Sequence, residues 1–164
     1  MKNTIVCVEM ENGDVFKIEL MPQYAPKTVE NFVNLVSEGF YDGLTFHRVI
    51  DGFMAQGGDP EGTGMGGSKT NIPGEFAQNG FTENTLSHSR GVISMARSMH
   101  PDSASSQFFI CYADCSFLDG QYAAFGKVTE GMENVDKFLT VKRTGPEGGT
   151  PSEPIVMKKV SIEA

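Results

Sequence analysis

The chain has 164 residues, with 13 Lys and Arg against 21 Asp and Glu and a formal net charge of −8. That acidity argues against a nonspecific grip on nucleic acid, which needs clustered cations to displace counterions, and no apolar run approaches the roughly 20 residues that span a bilayer. The 19 Gly and 8 Pro point to many turns between short elements, and the length suits one domain over residues 1–164.

In chain order, residues 4–10 and 15–20 alternate as two strands. Phe16, Ile18 and Leu20 share one face of the second, and Lys17 and Glu19 take the other. The intervening Asn12-Gly13 pair predicts a tight hairpin with positive φ at both central positions. A helix starts at Pro26, carries Val29, Phe32, Val33 and Val36 on one stripe, and stops at Gly39. Further strands are predicted over 44–50, 54–57, 92–96, 107–111, 123–129 and 155–163. A second helix over 132–140 rests on Val135, Phe138 and Leu139. Residues 59–84 are rich in turn formers, and such a stretch is commonly functional or mobile. Eight strands and two helices predict a mainly β fold, an eight-stranded closed antiparallel β-barrel capped by two α-helices, because closure removes sheet edges.

Residues 1–9 lack a basic region followed by a long apolar stretch. The three cysteines, Cys7, Cys111 and Cys115, read as reduced thiols. Together these predict a cytoplasmic location.

The familiar catalytic signatures are missing. The run from Gly62 to Thr70 resembles a phosphate loop, but Ser68 separates Gly67 from Lys69 and no helix pattern follows, so a surface loop is expected. His47, His88 and His100 have no metal-ligand spacing, Cys111 and Cys115 read as incidental thiols, and nothing marks a nucleophile triad. No metal or cofactor is implied. What stands out is polar residues set into apolar strand. Parity puts Met54 and Gln56 opposite Ala55, and Gln107 and Phe109 opposite Phe108 and Ile110. With Arg48 these suggest an apolar pocket rimmed by fixed donors.

Five long motifs carry a resemblance. They are Phe46-His47-Arg48-Val49-Ile50, the run from Gly52 to Asp59, the run from Gly91 to Ala96, Ser106-Gln107-Phe108-Phe109-Ile110, and the run from Leu118 to Val128. With these, and with the earlier Ala25-Pro26-Lys27-Thr28-Val29-Glu30-Asn31-Phe32, nearly the whole chain resembles the cyclophilin-type peptidyl-prolyl cis-trans isomerases, of the short bacterial kind. The resemblance implies the same eight-stranded barrel with two helices. It assigns the catalytic role to Arg48, and a proline pocket to Phe53, Met54, Phe109 and Leu118. Gln56 would sit beside Arg48, and Ala96, Arg97 and Gln107 would line a groove for peptide backbone. Phe117 stands where well-known members often carry Trp, which removes an indole donor and implies weaker binding of cyclosporin-type ligands. Tyr122 stands where His is common, and Arg97 where Asn is common, adding a charge that would favour acidic residues beside the proline. Residues 98–102 fit the family pattern with an extra residue, and no role is carried there.

The implied reaction explains the absent nucleophile. Rotation about X–Pro meets an amide-resonance barrier of about 18–20 kcal/mol. No bond breaks, and catalysis means holding the twisted amide, whose nitrogen gains a lone pair, better than either planar form. The guanidinium of Arg48 would supply the donors and Gln56 would orient it. Partners would be proline-containing peptides and unfolded or folding proteins, and a monomer is expected. Two other readings are weighed. A binding module without catalysis would be expected to lose the arginine. A ligand-carrying barrel would need small or polar inward residues, where these strands offer Phe, Ile and Val.

Overall fold

The computed structural model describes residues 3–145 and 148–163; Met1 and Lys2, part of the N-terminal stretch read above, lie outside them. The main strands are β1 (Ile5–Met10), β2 (Val15–Leu20), β3 (Thr45–Ile50), β4 (Met54–Asp59), β5 (Val92–Met95), β6 (Phe108–Cys111), β7 (Ala124–Glu130) and β10 (Met157–Ile162). A two-residue hairpin, β8 (Arg143–Thr144) and β9 (Thr150–Pro151), was not visible in the pattern. Each of the eight expected strands is present, with ends within two residues of the sequence reading.

The eight pair antiparallel in the order β10-β1-β2-β7-β5-β6-β4-β3. The two outer strands meet at one bridge, Thr45 with Val156, flanked by Phe46 N–H to Ile155 O at 3.0 Å and Met157 N–H to Leu44 O at 2.8 Å. The sheet therefore curls into a half-barrel joined at one point, so closure is partial. Its concave face is filled. Phe16, Ile18, Leu20, Phe46, Phe108, Ile110 and Phe125 belong to one buried core, with Phe46 edge-on to Phe108 at 5.7 Å. Large apolar side chains from the facing strands pack against one another there, as in other protein cores.

Helix α1 (Pro26–Ser37) lays Phe32 on Phe108 and Phe125, at 5.6 and 5.2 Å between ring centroids. Its own N-cap, Ala25, offers no side-chain acceptor. Glu75, from the turn-rich stretch, fills the place: its carboxylate accepts Lys27 N–H at 3.2 Å, and Thr28 N–H and Oγ1 at 2.7 Å each. The turn-rich stretch is thereby pinned to the helix.

Two expectations need correction. The first hairpin has positive φ at Gly13 (+94°) and at no non-glycine residue among those described. Met10 N–H bonds to Asp14 O and Gly13 N–H to Met10 O, which makes a three-residue loop whose last residue alone is left-handed. The second helix is α2 (Met132–Asp136) followed by a 3₁₀ turn, Lys137–Thr140. The tighter winding suits Val135 and Phe138, three apart, which both enter the core.

Candidate active site

β3 carries a bulge that parity reading misses. Phe46 pairs with Gly57 and Arg48 with Gln56, so His47 and Arg48 together oppose a single position. Phe46 and Val49, three apart, can then both enter the core. Arg48 emerges on the outer face beside Gln56, and re-aiming a side chain is what a bulge does. On β4 and β6 plain alternation holds. Ala55, Phe108 and Ile110 join the main core, and Met54, Phe109 and Cys111 form a second apolar cluster on the other face.

A polar relay crosses this outer face. Arg48 Nη1 donates to Gln56 Oε1 at 3.3 Å, Gln56 Nε2 donates to Gln107 Oε1 at 2.9 Å, and Gln107 Nε2 donates to the carbonyls of Gly64 and Gly66 at 3.0 and 2.8 Å. Beside it opens a depression of about 190 Å³. Its floor is Met54 and Phe109, nearly fully buried, and its walls are Phe53, Leu118 and Tyr122, with Ala96 and Arg97 at the margin. Phe109 meets Tyr122 edge-on at 5.8 Å. A second depression, also about 190 Å³, shares Gln56, Ala96 and Arg97 with the first and adds Gln107, Gly64 and Gly66. Ten of the expected site residues thus line one groove. Phe117 stands apart: it is 64% exposed, lines neither depression, and packs on Phe53 at 5.9 Å.

Arg97 is held more tightly than the sequence suggested. Its guanidinium lies between Phe76 and Tyr122, 4.8 and 4.7 Å from the ring centroids. Nε and Nη2 donate to Gln121 O at 3.2 and 2.6 Å, and Nη1 donates to Ser98 O at 3.0 Å. These donors shape the groove wall.

The arrangement, an apolar floor of ring size beside a guanidinium oriented by an amide, suits an uncharged ring carrying a polar amide. The sequence model of the family described as "Cyclophilin type peptidyl-prolyl cis-trans isomerase/CLD" matches residues 5–162. The chain belongs to the cyclophilin-type peptidyl-prolyl cis-trans isomerases. A probable peptidyl-prolyl cis-trans isomerase of Brucella suis is 42% identical over 175 residues, covering 99% of this chain and 84% of its own. The peptidyl-prolyl cis-trans isomerase CYP18-1 of Arabidopsis thaliana is 44% identical over 152 residues, covering 93% of this chain and 91% of its own. The crystal structure of a Cryptosporidium parvum cyclophilin, solved in the presence of the dipeptide Ala-Pro, superposes with a TM-score of 0.85 at 33% identity, over 98% of this chain and 99% of that one.

Sequence reasoning missed a second constellation in this isomerase. His88 Nδ1 lies 2.8 Å from Asp119 Oδ1, and His88 Nε2 lies 2.9 Å from Ser94 Oγ. A Ser-His-Asp row of this kind can activate a nucleophile, but Ser94 and His88 are fully buried. Ser94 sits opposite Phe109 in the β5–β6 ladder, buried beside it on the same face of the sheet. Burial holds the His88 imidazole below its usual pKa, against the pull of Asp119. It is a neutral strut, not a base with access to substrate. Among the described residues, no group of three His, Cys, Asp or Glu is placed to hold a metal ion. A larger cavity, about 410 Å³, lies away from the groove beside α2. Two of its polar groups are engaged, Asn134 with Val15 O and Lys137 with Asp14.

Proposed function

We propose that the isomerase holds the proline ring of an X–Pro segment on Phe53, Met54, Phe109 and Leu118 and stabilises the twisted amide through Arg48. The observation that carries this reading is the relay from Gln107 through Gln56 to Arg48 along the edge of the apolar depression. The amide oxygen of Gln56 holds Nη1 and so restricts the guanidinium. A guanidinium fixed before the reaction needs no reorganisation when the prolyl nitrogen gains its lone pair. The apolar floor excludes water and strengthens that interaction. Ala96 and Gln107 border the path of the flanking backbone.

The chain is proposed to act as one domain over residues 1–164, as a cytoplasmic monomer without cofactor. Its partners are unfolded or folding proteins whose proline isomerisation is slow. Cyclosporin-type ligands are expected to bind weakly, because Phe117 brings no indole N–H to the rim.

The test is a protease-coupled isomerisation assay at 10 °C on a proline tetrapeptide. Arg48→Ala should lower kcat/KM by about 10²–10³, the range for loss of one preorganised donor. Arg48→Lys should recover only part, since an ammonium lacks the planar fork. Wild-type kcat/KM in Arg48→Ala would sink the assignment.

A further inference from the structure

The glycine-rich run that imitates a phosphate loop encloses an anion of its own. Asp59 ends β4 and is 1% exposed. Its Oδ1 accepts Glu61 N–H at 2.9 Å, and its Oδ2 accepts the N–H groups of Thr63, Gly64 and Gly66 at 3.1, 2.7 and 3.1 Å. A Cβ on Gly66 would lie 2.2 Å from Asp59 Oδ1, so only glycine lets the chain come this close. Backbone N–H groups converging on an oxyanion form a nest, and here the chain supplies the anion. Burial by itself would raise the Asp59 pKa, but the four N–H groups outweigh it and hold the carboxyl below its usual range.

With these N–H groups turned in to Asp59, the carbonyls of Gly64 and Gly66 meet Gln107 Nε2 at 3.0 and 2.8 Å. An amide has two unlike ends. A reversed Gln107 would press its oxygen against two carbonyls, so the loop decides that Gln107 shows oxygen to Gln56. Gln56 must then answer with its NH₂ and show oxygen, not N–H, to Arg48. The polarity of the whole relay is set at the loop.

Resting on the role given to Arg48 above, we propose that Asp59 is a positioning residue of the isomerase: it folds residues 60–67 so that two loop carbonyls fix the polarity of the Gln107–Gln56 relay that aims Arg48. Asp59 lines neither depression of the groove.

The experiment is a double-mutant cycle in the tetrapeptide assay, with kcat and KM measured separately. Asp59→Asn should lower kcat about tenfold with KM changed less than twofold, while the same substitution in a Gln107→Ala background changes kcat less than twofold. In ¹H–¹⁵N spectra of Asp59→Asn, the Gln107 side-chain amide resonances should move toward free-amide positions. Gly66→Ala, which disturbs the nest without removing the charge, should give the same dependence on Gln107, and it decides the matter if Asp59→Asn does not fold. Equal kcat losses in both backgrounds, or unchanged kcat in Asp59→Asn, overturn the proposal while leaving Arg48 its role. Wild-type kcat in Arg48→Ala overturns both.

Discussion

The imidazole of His88 stacks on the ring of Phe109, with centroids 6.0 Å apart and planes 16° from parallel. The pocket floor therefore rests on a histidine held at both nitrogens, by Asp119 on one side and Ser94 on the other. Asp119 also accepts His88 N–H at 2.7 Å and Ser87 Oγ at 2.6 Å, and it directly follows Leu118 of the pocket wall. Floor and wall are thus tied through one carboxylate. Ser94→Ala would leave His88 Nε2 buried without its partner, at about 1–3 kcal/mol. For a chain of this size that lowers Tm by about 2–4 °C per kcal/mol. Isomerase activity should persist within a few-fold, because Ser94 is no nucleophile. Complete loss of activity in a folded Ser94→Ala protein would contradict this, and calorimetry with the coupled assay measures both.

A pH dependence follows from the same histidine. Burial lowers the pKa of His88, with Asp119 opposing, and burial lowers that of His47 as well. As pH falls through 6.5, the ordinary value for an imidazole in water, the unfolded chain takes up protons that the folded one refuses. Stability contributed by the neutral rings is present above that pH and is lost below it. Asp59 and Asp119 are depressed carboxylates whose contribution is lost only below 3.8, outside this window. Tm should fall between pH 7.5 and 5, and less steeply in His88→Gln. A flat wild-type profile, or equal slopes in the two proteins, would refute it.

Much of this was legible in the sequence, and the remainder has identifiable causes. Alternation placed Met54 and Phe109 on the pocket face because β4 and β6 pair without interruption there. It could not place Arg48, whose direction depends on the bulge at His47, and a bulge is a property of the pair of strands. Ser94, His88 and Asp119 lie on separate segments and form no motif, so only the fold assembles them. The N–H groups of the glycine run turn in to Asp59, and seeing that needed the position of Asp59 in the fold. An acidic residue closing a strand just ahead of closely spaced glycines is the signal that was available. The second helix failed at Lys137 because three-residue spacing serves a 3₁₀ turn as well as a helix.

Arg97 keeps its charge near the groove while its Nε and Nη2 are given to Gln121 O. A preference for acidic residues beside the proline would then come from field alone. For a partly exposed cation that is about 0.2–1 kcal/mol, at most roughly fivefold in kcat/KM, and screened at high salt. A panel of tetrapeptides with Glu, Gln or Lys next to proline should show this small ordering at low ionic strength and lose it in Arg97→Gln. A preference of tenfold or more, or one that survives Arg97→Gln, would mean that the charge acts by direct contact or not at all.

Phe117 is exposed on the rim and rests against Phe53. A larger aromatic there can keep that contact and add a donor without disturbing the buried floor. Phe117→Trp would bring an indole N–H beside Phe53, placed to donate to a backbone carbonyl of a cyclosporin-type ligand held in the groove as proposed. One net hydrogen bond is worth about 1 kcal/mol, roughly fivefold in Kd. Affinity for cyclosporin should rise by about that factor in titration calorimetry, with kcat/KM on a tetrapeptide changed less than twofold, since Phe117 lies outside the depression proposed to hold proline. A Kd unmoved by the substitution would show that the rim donor contributes nothing to macrocycle binding.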